Sequence, residues 1–272
     1  MTNKTLTGLL FVPALTIFSA FFLLPLARLA AESVDGPRGM AIYAQIITNH
    51  RYFRSLQDTV VISVLVTLAS VAVGGAAGLF LGRNVFKGRD FLVALLTLPI
   101  SFPGVVVGFM IIELAGRQGL IGSLTDNILG TKVVFAYSAL GLFTGYLYFS
   151  VPRVVATAMA TAGKLDQSLE EAARVLGASP WRVLIDVTIP GLLPALISTG
   201  AICFATSIGA FGTAFTLATD INVLPIIIYT EFTLSANIVS AAMLSLVLGV
   251  VTWLALFLAR LVTGTALTGS SA

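Results

Sequence analysis

The chain has 272 residues, 57% of them hydrophobic and only 10% charged, with a mean hydropathy of +1.01 and a formal net charge of +3. That composition excludes an ordinary soluble domain and points to an integral membrane protein, which the long apolar runs below make all-α. The small positive charge suits membrane topology better than nucleic acid, which would need clustered Lys and Arg with exposed aromatics, and the single Cys203 excludes a disulfide framework or cysteine metal cluster.

Residues 1–31 read as an N-terminal transmembrane helix, because Leu6 to about Ala31 is apolar apart from Arg28 and exceeds the ~20 residues a span needs. Lys4 ahead of the run also fits a signal peptide, but the apolar core is long for one and contains Pro13 and Pro25, so an uncleaved anchor is expected. Residues 32–57 turn polar at Asp35-Gly36-Pro37, and Tyr43, Ile46, Ile47, Tyr52, Phe53 and Leu56 then recur at roughly helical spacing. An external loop carrying an amphipathic helix is predicted, periplasmic on the resemblance given below, with the lone His50 solvated in it.

Residues 58–262 hold five further spans. The second, about 59–82, carries Ser70, Gly74, Gly78 and Gly82 at four-residue steps, a ridge suited to close packing within the subunit or against another. Arg83, Lys87 and Arg89 follow it and favour the cytosolic side. Span three, about 91–114, contains Pro99, Pro103, Gly104 and Gly108, which predicts a broken helix turned toward the interior or a water-filled cavity. Glu113 near its outer end is either a functional carboxylate or a hydrated interface residue. Span four, about 133–155, has Pro152 and Arg153 toward its cytosolic end.

Residues 164–190 form a charged, well-patterned helical hairpin. Ser168-x-x-Glu171 fits a capping box, with Asp166 as an alternative cap. The first helix ends at Gly177, suited to a left-handed turn, and a second starts with Ser179 as N-cap and Pro180 in the first turn. Glu171-Ala172-Ala173, three residues, Gly177, nine residues, Val187, one residue and Ile189-Pro190 resemble, position for position, the EAA loop of binding-protein-dependent ABC importer permeases. The resemblance covers most of residues 43–262 and takes in Tyr43, Asn49 and Tyr52 through Asp58-Thr59, where the family often has Asn in place of Asp58.

Span five, about 192–217, shows a stripe of Thr199, Cys203, Thr206, Ala210 and Thr213, fit for a solute path or for tight packing. Ser207 to Gly212 resembles a family segment that often has an acidic residue at the position of Ala210. The outer connection from Ala218 to Thr233 includes Asp220, Tyr229 and Glu231, and its Leu224-Pro225-x-x-Ile228-Tyr229 resembles the iron, polyamine and phosphonate branch. Span six, about 236–262, ends near Arg260, and a Gly/Ser/Thr-rich tail, 263–272, is expected to be disordered. Both termini are then cytosolic.

No phosphate-binding loop, Ser/His/Asp set or metal-ligand set occurs in the sequence. A self-sufficient secondary transporter or intramembrane enzyme therefore fits poorly against the permease reading. The resemblance implies the type I permease fold with six transmembrane helices, in a bacterial or archaeal inner membrane. It implies no catalysis and no cofactor in this chain, since ATP and Mg would be bound by a cytosolic ABC ATPase dimer. A second permease subunit, identical or homologous, would complete the pore, and a periplasmic solute-binding protein would deliver the solute. Besides these partners there is the lipid bilayer, and no nucleic acid. Glu171 would contact the ATPase, Ala172 and Ala173 permit close approach, Gly177 make the turn, and Arg174 and Arg182 add peripheral contacts. The path candidates are Pro99, Pro103, Glu113, Thr199, Thr206 and Thr213, and the periplasmic-contact candidates are Asp220, Tyr229 and Glu231. The carboxylates Glu113, Asp220 and Glu231, with almost no basic residue deep in a span, lean toward a cationic or zwitterionic solute such as a polyamine, over an oxyanion.

Overall fold

The computed structural model describes residues 3–217 and 221–269. The helices, in chain order, are α1 (Asn3–Phe18), α2 (Leu24–Val34), α3 (Gln45–Thr48), α4 (His50–Arg83), α5 (Arg89–Thr97), α6 (Gly104–Ala115), α7 (Leu120–Leu129) and α8 (Ala139–Ala162). They continue with α9 (Gln167–Val175), α10 (Pro180–Val183), α11 (Ile189–Ile208), α12 (Phe211–Leu217), α13 (Leu224–Tyr229) and α14 (Ile238–Gly269). Six stretches among the described residues are long and apolar enough to cross a membrane. The chain divides into two compact units, residues 1–54 with 227–249 and residues 55–226 with 250–272.

In the first unit, α1 and α2 are joined by a π-turn, Ser19–Leu23, just ahead of Pro25. A proline cannot donate to the helix ladder and its ring crowds the carbonyl four residues back, and a wider turn relieves both faults. The Ser33 hydroxyl donates to the Ala30 carbonyl and pairs with the Tyr43 hydroxyl at 2.8 Å. The amphipathic helix predicted over residues 32–57 is not one helix. A 3₁₀ segment, Gly39–Ala44, and α3 end at Asn49, whose backbone is extended and whose side chain accepts the Arg51 amide. From His50 onward the same sequence is already α4, and His50 is exposed at its start. Glu231, expected on an outer surface, is instead buried and ion-paired to Arg51 at 3.5 Å.

The second unit is built on glycine-mediated contact between α4 and α8. A Cβ at Gly78 would lie 2.6 Å from both the Ala158 Cβ and the Val155 carbonyl, and one at Gly74 or Gly82 would lie 2.8 Å from the Val154 Cβ or the Met159 carbonyl. The small-residue ridge thus packs inside the subunit.

Spans three and five are both broken, and their halves meet. After α5 the chain makes a 3₁₀ turn, Leu98–Ser101, and becomes extended at Phe102 and Pro103 before α6. After α11 it breaks at Gly209 before α12. Gly108 allows α12 so near that a Cβ there would fall 1.6 Å from Thr216 Oγ1. Side chains bond the backbone where the second halves begin, Thr213 Oγ1 donating to the Gly104 carbonyl at 2.9 Å and Tyr146 Oη to the Ala210 carbonyl at 3.0 Å. Irregular backbone can be kept at membrane depth because protein groups satisfy it in this way. Ile62, Val66, Ile111, Leu142, Tyr146, Ala214 and Leu217 form the core around this crossing.

Two boundaries differ from expectation. The second arm of the hairpin runs without a loop through a π-turn, Leu184–Thr188, into α11, so it is the start of span five. Pro190 follows that π-turn as Pro25 follows the first. At the other end, residues 263–269 continue α14 where a disordered tail was expected.

Candidate functional site

The hairpin is well capped. Asp166, rather than Ser168, is the N-cap of α9, and its side chain accepts the Ser168 amide at 2.9 Å. That bond holds the Asp166 carboxyl below its ordinary range. α9 ends at Gly177, which takes φ +85°, while the Ala178 amide returns to the Ala173 carbonyl at 3.0 Å. This closes the turn by the usual C-terminal device. Ser179 then accepts the Arg182 amide, and Pro180 occupies the first turn of α10.

One face of the hairpin is anchored. Glu170 is 5% exposed. Its Oε2 accepts from Arg83 Nη1 at 2.7 Å and its Oε1 from Arg83 Nη2, a bidentate pair that joins α9 to the last residue of α4. Thr188 Oγ1 donates to the same carboxylate at 2.6 Å, and Arg174 Nη2 stands 3.6 Å away. The guanidinium bonds from Arg83, aided by Thr188, hold the Glu170 carboxyl below its usual range although burial opposes this. Arg89 Nε donates to the Leu81 carbonyl at 2.8 Å, folding the loop after α4 back on its own helix end.

The opposite face is open. Glu171 and Ala172 are exposed and Ala173 is half-buried. Arg174 spends its charge on Glu170, and the Arg182 side chain is exposed. Around them Val175 and Leu176 are each 87% exposed and Trp181 72%, with Leu169 and Ile185 also uncovered. Trp, Leu and Val in an exposed, charged hairpin form an apolar patch of the kind that marks a protein contact.

The path candidates are not gathered at one place. Thr213 is fully buried and bonded to Gly104, and Thr199 is buried. Pro99 is half-buried, while Pro103 and Glu113 are exposed. Thr206 alone meets a charge, accepting from Arg153 Nη1 at 3.0 Å. Tyr229 is half-buried at the end of α13, and Asp220 lies outside the described residues. Glu170, Arg83 and Thr188 escape the sequence reading. The signals available were the i,i+4 pair Glu170/Arg174 and the basic group Arg83, Lys87 and Arg89 after span two, read only as topology, and neither reveals that the two ends meet.

Comparison with known proteins agrees with this architecture. The family model described as "Binding-protein-dependent transport system inner membrane component" matches residues 74–264. A probable molybdenum ABC transporter permease of Haloferax volcanii is 32% identical, over 84% of this chain and 80% of that protein. A putative 2-aminoethylphosphonate transport system permease of Salmonella typhi is 27% identical, over 88% and 84%. Sulfate permease 2 of Chlamydomonas reinhardtii, chloroplastic, is 31% identical over 76% of this chain, which spans 58% of that protein's length. Among solved structures, a bacterial ABC transporter involved in the import of the acidic polysaccharide alginate superposes with a TM-score of 0.82 at 17% identity, covering 97% of this chain and 96% of that one. The methionine ABC transporter MetNI, in an inward-facing conformation, gives 0.61 at 16% identity, over 79% and 96%. The six spans, the two broken helices that meet and the matched family model lead to one conclusion: this multi-pass membrane chain is a permease subunit of the binding-protein-dependent ABC transporter family.

Proposed function

We propose that this permease imports a small hydrophilic solute by alternating access, and that the α9–α10 hairpin is the element through which a separate ATPase drives it. The observation that carries this reading is the two-sided hairpin, anchored through Glu170 and open at Glu171, Val175, Leu176 and Trp181. The open face suits a groove on a cytosolic ATPase dimer, which would hold ATP and Mg. A second permease subunit completes the path, and a solute-binding protein would dock outside, on residues 32–57 and 218–233. Glu171→Lys is expected to weaken co-purification of the ATPase subunit with the inserted permease. Unchanged association and transport would remove the proposed contact.

For the solute, the sequence leans toward a polyamine-like cation through Glu113, Asp220 and Glu231. Glu231 is already neutralised by Arg51, and Glu113 stands exposed on α6. Arg153, in contrast, places a cation nine residues before the end of α8, with no carboxylate in ion-pair range among the described residues. Successive helix residues are about 100° apart, which puts Arg153 on the side of α8 away from Val154, Val155 and Ala158, the residues facing the α4 glycines. A charge inside a span needs water or a counter-ion. With relatives named for sulfate, 2-aminoethylphosphonate and molybdenum, this favours a small oxyanion. Uptake into proteoliposomes with the cognate binding protein, using labelled sulfate, molybdate, 2-aminoethylphosphonate and putrescine, tests it. One oxyanion is expected to enter, with Arg153→Gln reducing uptake about tenfold. Entry of putrescine alone would restore the polyamine reading.

A further inference from the structure

We infer that Arg83 and Glu170 form a strut that makes α4, the α4-packed part of α8 and the coupling hairpin move as one piece. The inference rests on the proposed coupling role of the hairpin and concerns how its motion reaches the spans. α9 follows α8 after only four residues, so the hairpin is held to the bundle by the chain on one side. A single covalent link through the segment 163–166 could swivel. The second attachment is the bidentate Arg83–Glu170 pair, locked from the far arm of the hairpin by the Thr188 hydroxyl. Glu170 thus collects donors from three places, the end of α4, its own helix at Arg174 and the start of span five at Thr188.

The packing around the strut is what lets it transmit force. α4 is pressed onto α8 at Gly74, Gly78 and Gly82, and a Cβ at Gly82 would lie 2.8 Å from the Met159 carbonyl. That last contact is one residue before Arg83. Gly191, at the start of α11, is likewise filled by Leu165, whose Cδ2 would sit 2.7 Å from a Cβ there. The hairpin base is therefore gripped by α4 and α11 together, and a push on its open face is delivered to both. Arg83 Nε is buried without a partner, so the guanidinium is aligned by the carboxylate and not by other acceptors among the described residues. Arg83 and Glu170 are positioning residues, because the groups that would meet the ATPase lie on the other face.

A distance measurement tests this, and only its coupling readout uses the solute found in the uptake assay. Spin labels at Asn84 and Gln167, both exposed, are placed in the full transporter complex carrying Cys203→Ser, in lipid nanodiscs. The distance is read without nucleotide and after trapping with ATP, Mg²⁺ and vanadate. In the otherwise native complex the two distributions are expected to agree within about 2 Å, as for a rigid body. Glu170→Gln is expected to broaden them and to lower solute uptake per ATP hydrolysed by about fivefold, since an unpaired Arg83 no longer fixes the hairpin. The charge swap Arg83→Glu with Glu170→Arg is expected to recover at least half of that ratio. A change above about 5 Å in the native complex on trapping would overturn the strut, as would a Glu170→Gln complex with unaltered distances and coupling. A native complex that binds no ATPase, or shows no nucleotide-driven motion in any span, would instead overturn the coupling role itself.

Discussion

Glu170 and Glu171 are neighbours in the chain and opposite in circumstance. About 100° of helix rotation separates them, enough to bury one against Arg83 and Thr188 and leave the other in solvent. Because Glu170 is held below its ordinary range, its contribution is complete above the unfolded carboxylate value of about 4.3 and is lost as pH falls through the lower folded value. Glu170→Gln is thus expected to lower stability by about 3 kcal/mol at neutral pH, leaving Arg83 partly buried and unpaired. In thermal melts the gap from wild type should stay constant from about pH 8 to about 5.5 and narrow only below about pH 4. A gap that widens on acidification would contradict the pairing. The motif at Glu171 was readable because its spacing is local, whereas Glu170 depends on where another span ends, which no local pattern records.

At the scale of elements, most of the spans were legible and their joints were not. Apolar length and the positions of Pro99, Pro103 and Gly104 marked the broken span three, since proline cannot stay in the ladder. The break at Gly209 in span five had no proline to announce it, and it persists through a tertiary bond from Tyr146 to Ala210. The outer helix predicted over residues 32–57 failed at Asn49, where a cap started α4 early. The glycine ridge left two partners open, and the structure selects α8. Gly78→Leu is expected to prevent accumulation of folded permease, and Gly78→Ala to cost about 1–3 kcal/mol, because its Cβ would meet Ala158 and the Val155 carbonyl. Gly249→Ala, with nothing within 4 Å, should be neutral or stabilising by up to about 1 kcal/mol. Equal melting temperatures for the two alanine variants would refute the tight contact.

For the whole molecule, the sequence and the structure divide the question between them. Composition and the hairpin spacing carried the family and the six spans, and the family model and the solved folds agree. The state of the charged side chains was not legible, because pairing is tertiary: Glu231 is paired with Arg51, whereas Arg153 meets no carboxylate among the described residues. On the proposed coupling role, transport depends on a hairpin rigid enough to carry a push from its open face to α4 and α11.

The most direct test of that dependence is ATP hydrolysis stimulated by the solute-bound binding protein in a complex carrying Gly177→Val. Gly177 takes φ +85° with open space around it, so a β-branched residue would strain the turn between α9 and α10 without a clash elsewhere. Strain of about 1–2 kcal/mol corresponds to a loss of about five- to thirtyfold in productive docking. The expected result is hydrolysis reduced to its unstimulated level, with the permease still inserted and folded. Full stimulation in this variant would contradict the hairpin as the coupling element.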